Sequence, residues 1–138
     1  MINQLKQKNI EVSIIIPIYN EEDNISLVLN EVMNVCEKEN RSYEIICTND
    51  GSTDNSLKII NEIAIKNQKI KVIDFIKNYG QTASMSAAIK YSSGNYIVAL
   101  DADLQNDPND IPMLLQKLEE GFDCVSGGRH KRKDGFLK

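Results

Sequence analysis

The 138 residues of this chain have room for about one domain, because domains typically hold ~100–150 residues. A hydrophobic content of 41% and a charged content of 26% predict a packed core, and they exclude a disordered chain, a collagen-like repeat and a disulfide scaffold. With 16 basic and 20 acidic residues the net charge is -4, which argues against a general nucleic-acid binder. No apolar stretch approaches the ~18 residues of a membrane-spanning helix, so we expect a soluble, cytoplasmic chain.

Charged residues and cysteines are unevenly placed along the chain. Residues 129–138 hold five basic side chains and one acidic one, so an acidic body is followed by a basic segment. The three cysteines, Cys36, Cys47 and Cys124, are widely spaced and stand among apolar neighbours. This spacing matches neither a metal site nor a disulfide framework, and it predicts three reduced core residues.

Short apolar runs rich in β-branched residues alternate with segments of helical period. The runs predict five strands, at residues 12–18, 43–47, 70–75, 95–100 and 122–125. Four segments between them predict helices by their apolar faces: Ile25, Val28, Leu29, Val32 and Cys36; Leu57, Ile60 and Ala64; the alanine-rich stretch 83–91; and Ile111, Leu114, Leu115 and Leu118. At the last helix, Asp107 can act as the cap, Pro108 suits the first turn and Gly121 suits the end.

The alternation of strands and helices predicts the fold class. Parallel strands joined by right-handed crossovers form an α/β protein, a three-layer α/β/α sandwich with a mainly parallel sheet. Ligands of such sheets bind beyond the carboxyl ends of the strands. The residues that follow the first four predicted strands are polar: Asn20-Glu-Glu22, Asn49-Asp-Gly-Ser-Thr-Asp54, Lys77-Asn-Tyr-Gly80 and Asp101-Ala-Asp103.

Two carboxylates, Asp101 and Asp103, end the fourth predicted strand. At positions i and i+2 they project to the same side of the chain, where they can hold a hard divalent cation and leave room for phosphate oxygens and water. Gln105 and Asn106 are further candidate oxygen donors. The alternative is a solvated turn with a helix cap, and the buried strand that precedes the pair favours the metal site.

The segment 49–54 follows the second predicted strand. Gly51 permits a tight turn, a hydroxyl side chain after it can cap the next helix, and the free N–H groups of that helix favour an anion. Asp50 and Asp54 are alternatively acceptors for a base or a ribose. A capped turn without a ligand stays open as a second interpretation.

Other nucleotide-binding and nucleophile motifs are absent from the sequence. It holds neither Gly-x-x-x-x-Gly-Lys nor Gly-x-Gly-x-x-Gly, which argues against a P-loop protein and against a dinucleotide-binding Rossmann protein. The single histidine, His130, stands in the basic segment, where a solvated side chain is expected. The sequence therefore indicates no Ser-His-Asp or Cys-His site.

Five sequence blocks together resemble the family 2 glycosyltransferases of the GT-A fold, especially the branch that moves a sugar from a nucleotide to a polyprenyl phosphate. The blocks stand in the family's order: residues 16–25 (Ile-Pro-Ile-Tyr-Asn-Glu-Glu-Asp-Asn-Ile), 49–54, 77–80, Asp101-Ala-Asp-Leu-Gln105 with Pro108, and Gly127-Gly-Arg129. The Asp-Ala-Asp-Leu-Gln form, a DXD motif, is the feature that points to the polyprenyl-phosphate branch. The resemblance implies a Rossmann-like, nucleotide-sugar-binding half of a GT-A enzyme.

The resemblance also implies roles for single residues. Nucleotide binding is implied for Pro17, Tyr19, Glu21, Asn49, Asp50, Lys77, Gly80, Asp101 and Ala102. Asp101 and Asp103 are implied as catalytic residues that hold Mg²⁺ or Mn²⁺ on the donor diphosphate together with Gln105, and Arg129 as a catalytic residue that meets phosphate. Asn49 departs from the aspartate of many family members, which leaves uracil and guanine both open as the base.

Domain boundaries and partners follow from the same resemblance. We expect an N-terminal extension at residues 1–11, a donor-binding domain at 12–128 and a basic segment at 129–138 where a longer chain is cut. Family members continue into an acceptor-binding half, and the polyprenyl-phosphate branch adds amphipathic or transmembrane helices.

The implied partners are a nucleotide-sugar, a polyprenyl phosphate and the membrane surface, with no nucleic acid. Cell envelope glycan synthesis at the cytoplasmic face of the membrane is the implied setting.

The implied chemistry is an inverting, metal-assisted displacement. A phosphate monoester has its second pKa near ~6, so a polyprenyl phosphate is an ionised nucleophile that needs no general base. Two other functions stay open, a truncated nucleotide- and metal-binding module without transferase activity and a nucleotidyltransferase. The latter is disfavoured because Tyr19-Asn-Glu-Glu22 stands where such enzymes carry a glycine-rich, basic loop.

Overall fold

The computed structural model describes residues 9–127. Strands and helices alternate in it: β1 (Val12–Ile18), α1 (Ile25–Lys38), β2 (Tyr43–Asn49), α2 (Ser56–Lys66), β3 (Ile70–Asp74), α3 (Gln81–Tyr91), β4 (Tyr96–Ala99), and a short 3₁₀ helix (Pro108–Asp110) that leads into α4 (Ile111–Glu119). The four predicted helices and the first four predicted strands are confirmed, with strand ends that differ by at most two residues. Within residues 9–127, none of the helices has the length and apolar character needed to cross a membrane.

The four strands form one parallel sheet in the order β3-β2-β1-β4. β1 lies inside the sheet, with Val12 opposite Tyr43 of β2 on one side and opposite Tyr96 of β4 on the other. Side chains along a strand point alternately to the two faces, so a strand covered on both faces needs apolar residues at nearly every position. The Ile14-Ile-Ile16 run of β1 meets this requirement and is buried throughout.

Helices cover both faces of the sheet. On one face, α1, α2 and α4 share a large apolar cluster with the strands, which includes Ile14, Ile16, Leu29, Ile60 and Leu115. On the other face, α3 packs its Ala88 over Ile15 and Ile46. Burial of each large aliphatic side chain contributes about 1.5–3 kcal/mol. The predicted α/β/α sandwich with a parallel sheet is therefore confirmed.

The order of the strands places a crevice beside β1. After β1 the chain passes through α1, on one face of the sheet, to β2. It later passes through α3, on the opposite face, to β4, which pairs with the other edge of β1. Loops that leave neighbouring strands in opposite directions open a crevice at their carboxyl ends, and ligands of open α/β sheets bind there. The fold therefore predicts a ligand-binding site at the loops after β1 and β4.

The fifth predicted strand, at residues 122–125, is wrong, because the described chain forms no strand there. Phe122 is 58% exposed, and Cys124 is an exposed free thiol rather than the predicted core residue. An apolar run becomes a strand only where a neighbouring strand supplies backbone partners and a second layer covers it. Cys36 and Cys47 are buried free thiols as predicted, and burial raises the pKa of the Cys47 thiol to about 12.

A buried carboxylate ties the strands together at the end of the sheet opposite to the crevice. Glu44 is 2% exposed, and its Oε1 accepts hydrogen bonds from Ser13 Oγ (2.6 Å) and from the N–H of Ser93 (2.7 Å). Its Oε2 forms an ion pair with the Lys71 ammonium group. Burial raises the pKa of Glu44, but the hydrogen bonds from Lys71, Ser13 and Ser93 outweigh it and hold that pKa below its ordinary range.

We expect Glu44→Ala to lower the free energy of unfolding by about 3 kcal/mol, because the Ser13 hydroxyl and the Ser93 N–H lose their buried acceptor. The pKa of Glu44 is lower in the folded than in the unfolded chain, so its contribution is present above about pH 4.3 and is lost as the pH falls through the folded-state value. Urea unfolding at about pH 7 and about pH 3 measures both effects.

Glu120→Ala is the matched control, since among the described residues Glu120 pairs with Lys117 alone, at the surface, where the side chains are 46% and 52% exposed. Equal losses of stability in the two variants at neutral pH would contradict a stabilising role for the buried carboxylate.

Candidate functional site

A cleft of about 340 Å³ opens at the carboxyl ends of the strands, a size within the ~300–1,000 Å³ of small-molecule sites. The predicted site residues that line it are Pro17, Tyr19, Glu21, Asp50, Gly80, Asp101, Ala102 and Asp103. Three further residues, Ile18, Asn78 and Gln81, line the cleft and were not among the predicted site residues. The loops after all four strands thus contribute to one cleft, as the carboxyl-end rule predicts.

Asn49, a predicted nucleotide-binding residue, does not line the cleft. It is 2% exposed and is the last residue of β2, whereas Asp50 is the first residue after the strand. Its amide donates a hydrogen bond to Asp74 Oδ1 at 2.9 Å, and within the described residues its own Oδ1 is buried without a partner. In this structure Asn49 therefore links β2 to β3 behind the cleft.

Two other predicted residues, Lys77 and Gln105, also lie outside the cleft lining. The Lys77 ammonium stands 5.2 Å from the centre of the Tyr79 ring, a cation–π distance. Gln105 is exposed, and its backbone N–H donates to Asp103 Oδ1 at 3.0 Å. Arg129 lies outside the described residues.

The loop after β1 is fixed by Asn20, which sequence analysis did not single out for this role. Its φ of +52° lies in the left-handed region, which asparagine tolerates better than most residues. Its Oδ1 accepts hydrogen bonds from the N–H groups of Thr53 (2.8 Å) and Asp54 (3.3 Å), and its own N–H donates to Ser52 Oγ (3.0 Å). These bonds join the loops after β1 and β2, and they position Tyr19 on the cleft wall.

Asp54 has a structural role in the same junction. Its Oδ1 accepts from the Ser56 N–H at 2.9 Å at the start of α2, and its Oδ2 accepts from the Glu22 N–H at 3.2 Å. Desolvation raises the pKa of Asp54, but the hydrogen bonds from Ser56 and Glu22 outweigh it and hold that pKa below its ordinary range. In this structure the two oxygens of Asp54 are thus engaged by backbone N–H groups of α2 and of the loop after β1.

Asp50 connects the cleft to the loop after β3. Its side chain is 4% exposed, and its two oxygens accept hydrogen bonds from the N–H groups of Tyr79 (2.7 Å) and Gly80 (3.0 Å). Its own N–H donates to the Ile18 carbonyl at 2.8 Å. Asp50 therefore lines the cleft and also holds three of its loops in place.

Asp101 and Asp103 face the same cleft from the loop after β4. Asp101 Oδ1 accepts from Gln81 Nε2 at 3.2 Å, and Asp103 Oδ1 accepts from the Gln105 N–H at 3.0 Å. The second oxygen of each carboxylate accepts no hydrogen bond from the described residues. Leu104, which follows the pair, has a φ of +65°, a strained conformation of the kind that is common at functional sites.

Two carboxylates are an incomplete set of ligands for a metal ion. Residues 9–127 contain no group of three or more His, Cys, Asp or Glu side chains that could hold one. Mg²⁺-type ions are commonly bound by one or two carboxylates together with substrate phosphates and water. The hard oxygen donors of Asp101 and Asp103 fit such an ion when a phosphate-bearing ligand completes its coordination.

Comparison with known proteins identifies the family. A family model described as "Glycosyl transferase family 2" matches residues 13–138. The chain belongs to this family. It is 38% identical over 129 residues to the undecaprenyl-phosphate 4-deoxy-4-formamido-L-arabinose transferase of Proteus mirabilis, an alignment that covers 93% of this chain and 40% of that relative. This family 2 chain thus spans about two-fifths of the length of the relative.

Two solved structures share the fold of this family 2 chain. S. aureus TarS 1-349 in complex with UDP-GlcNAc matches with a TM-score of 0.65 and 24% identity, over 80% of this chain and 32% of that one. The mannosyltransferase PcManGT from Pyrobaculum calidifontis, in complex with GDP-Man and Mn²⁺, matches with a TM-score of 0.64 and 20% identity, over 72% and 29%. The predicted family resemblance and the GT-A fold are confirmed.

We expect Gly51→Ala to destabilise the cleft, because Gly51 has a φ of +69° and a Cβ there would overlap the backbone of Lys77 and Asn78. Steric overlap and left-handed strain together are expected to lower the free energy of unfolding by about 3 kcal/mol. Urea unfolding measures the loss.

Gly121→Ala separates the two contributions, because Gly121 also has a positive φ (+108°) but a Cβ there would meet nothing within 4 Å. This control is expected to lose only about 1 kcal/mol. If Gly51→Ala lowers the free energy of unfolding by no more than the control does, the close contact between the two loops does not contribute to stability.

Proposed function

We propose that this chain binds the nucleotide-sugar donor of a family 2 glycosyltransferase in the cleft between β1 and β4, as part of a protein that transfers the sugar to an acceptor. The supporting observation is the meeting of Tyr19, Asp50 and the Asp101–Asp103 pair in one cleft at the point where the strand order reverses. The Tyr19 side chain, 48% exposed, offers an aromatic surface to a base. The Asp101 and Asp103 carboxylates line the same cleft, and this combination suits a ligand that carries both a base and phosphates.

Asp101 and Asp103 are the proposed ligands of Mg²⁺ or Mn²⁺. Such a cation, when bound, neutralises negative charge that develops on the leaving nucleoside diphosphate. The two carboxylates would hold it through the oxygens that accept no hydrogen bond from residues 9–127, and the diphosphate would supply further ligands. The PcManGT complex with GDP-Man and Mn²⁺ is consistent with this proposal.

The proposed acceptor is a polyprenyl phosphate, since the Proteus relative carries undecaprenyl phosphate in its name. An oxygen of the acceptor phosphate would attack the anomeric carbon of the sugar while the bond from that carbon to the diphosphate oxygen breaks, which inverts the anomeric configuration. The nucleophile is already ionised at neutral pH, so the chain needs no base for this step. We also propose that Arg129 meets phosphate and that the protein acts in envelope glycan synthesis at the cytoplasmic face of the membrane.

A nucleotide-binding module without transferase activity is the second candidate, because the predicted residues gathered in the cleft are those proposed to bind the donor. Transfer of radiolabelled sugar to a polyprenyl phosphate separates the two functions. Product formation that Asp103→Ala abolishes supports the transferase, and nucleotide binding without any product supports the module.

Calorimetric titration with UDP and GDP, first with Mn²⁺ and then with EDTA, tests donor binding. We expect one diphosphate to bind in a metal-dependent manner, and the double variant Asp101→Ala/Asp103→Ala to weaken that binding about tenfold or more, because the ligands of the cation are lost. Asp110→Ala/Asp123→Ala removes the same charge from exposed positions outside the cleft and is expected to bind like the unmodified chain. No binding of either diphosphate to the folded chain would overturn the proposal.

A further inference from the structure

Asp101 is held by two residues that the family resemblance did not mark. The Gln81 side-chain amide donates to Asp101 Oδ1 at 3.2 Å, and the Asn106 side-chain oxygen accepts the Asp101 backbone N–H at 2.8 Å. We propose that Gln81 is a positioning residue for the Asp101 carboxylate, and that its hydrogen bond sets the affinity of the cleft for a divalent cation. The inference rests on the proposed function of this cleft.

The backbone that carries Gln81 is rigidly placed. Gln81 is the first residue of α3 and follows Gly80, whose φ of +99° turns the chain into the helix. The Gly80 N–H is bound by the buried Asp50, and the Gly80 carbonyl accepts from both the N–H and the Oγ of Ser84 at 3.1 Å. Ala88, two turns further on, packs α3 onto the sheet. The hydrogen bond from Gln81 therefore joins a fixed helix start to the loop after β4.

The Gln81 amide is suited to orient a carboxylate ligand without competing for the cation. It carries no charge, so it does not repel a divalent ion as a lysine at the same place would. Its N–H group occupies Asp101 Oδ1 and leaves Oδ2 free of hydrogen bonds from the described residues. A bond of this kind fixes the rotamer of a ligand, and loss of such a supporting bond typically weakens metal affinity ~10–100-fold.

Asn106 restrains the same loop from the other side. Its oxygen is engaged by the Asp101 N–H, so it holds the backbone of the carboxylate rather than serving as the free oxygen donor suggested by its place in the sequence. Leu104, with its φ of +65°, makes the tight turn that brings Asn106 back to Asp101. With its backbone fixed in this way, the Asp101 side chain depends on Gln81 for its orientation.

The test measures Mn²⁺ affinity by electron paramagnetic resonance of the free ion, with UDP or GDP present, whichever the unmodified chain binds. Gln81→Leu keeps a side chain of similar size but removes the donor, and we expect it to weaken Mn²⁺ binding about tenfold or more and to change the spectrum of the bound ion. Thr82→Ala alters the next exposed residue of α3 and is the control.

Two further readouts distinguish positioning from a general structural role. Melting temperature and nucleotide affinity in EDTA are expected to be the same in Gln81→Leu and Thr82→Ala. Equal Mn²⁺ affinity in these two variants would overturn the inference while leaving the proposed function intact. A Gln81→Leu variant that loses nucleotide affinity in EDTA would also overturn it, in favour of direct contact with the nucleotide. Failure of the unmodified chain to bind Mn²⁺ with either nucleotide would overturn both proposals.

Discussion

The carboxylate of Asp50 is buried at the end of β2, where both of its oxygens accept hydrogen bonds from backbone N–H groups of the loop after β3. A buried charge is tolerated only when hydrogen bonds replace its lost hydration, and here the Tyr79 and Gly80 amides do so. Because the Asp50 N–H is bonded to the Ile18 carbonyl, the same residue also fixes the end of β1. The start of α3, the Gln81 side chain and its contact with Asp101 all depend on this junction.

The topology gives these local contacts their place in the cleft. β1 separates β2 from β4, so loops that are far apart in sequence leave the sheet side by side. A second groove, of about 420 Å³ between α1 and α2, is larger, but its lining includes one carboxylate, Glu62, and no residue that follows a strand. The smaller cleft is the candidate site because of the carboxylates that line it, such as Asp50, Asp101 and Asp103, and not because of its volume.

Periodicity sufficed to predict the layers and most elements, because burial on both faces of a parallel sheet restricts which residues a strand such as β1 can hold. The carboxyl-end rule likewise predicted that Asp50 and Asp101 would share a cleft. Strand pairing was the first feature that the sequence did not predict. Residues 122–125 have the composition of a strand, but composition does not show whether a neighbouring strand supplies backbone hydrogen bonds. Side-chain contacts were the second, since Asp50 bonds the loop after β3 whereas the adjacent Asn49 bonds Asp74 at the end of β3. The contact of Gln81 with Asp101 depends on tertiary structure alone.

The most direct test of the account is a nuclear magnetic resonance titration of the ¹⁵N-labelled chain with UDP and with GDP in the presence of Mg²⁺. Amide shifts are expected to concentrate at Tyr19, Gly80 and Asp101, which line the cleft, while Ser26 and Ile63 in the groove between α1 and α2 stay unchanged. Shifts confined to that groove, or no shifts with either nucleotide, would contradict the claim that the cleft at the ends of β1 and β4 is the donor site.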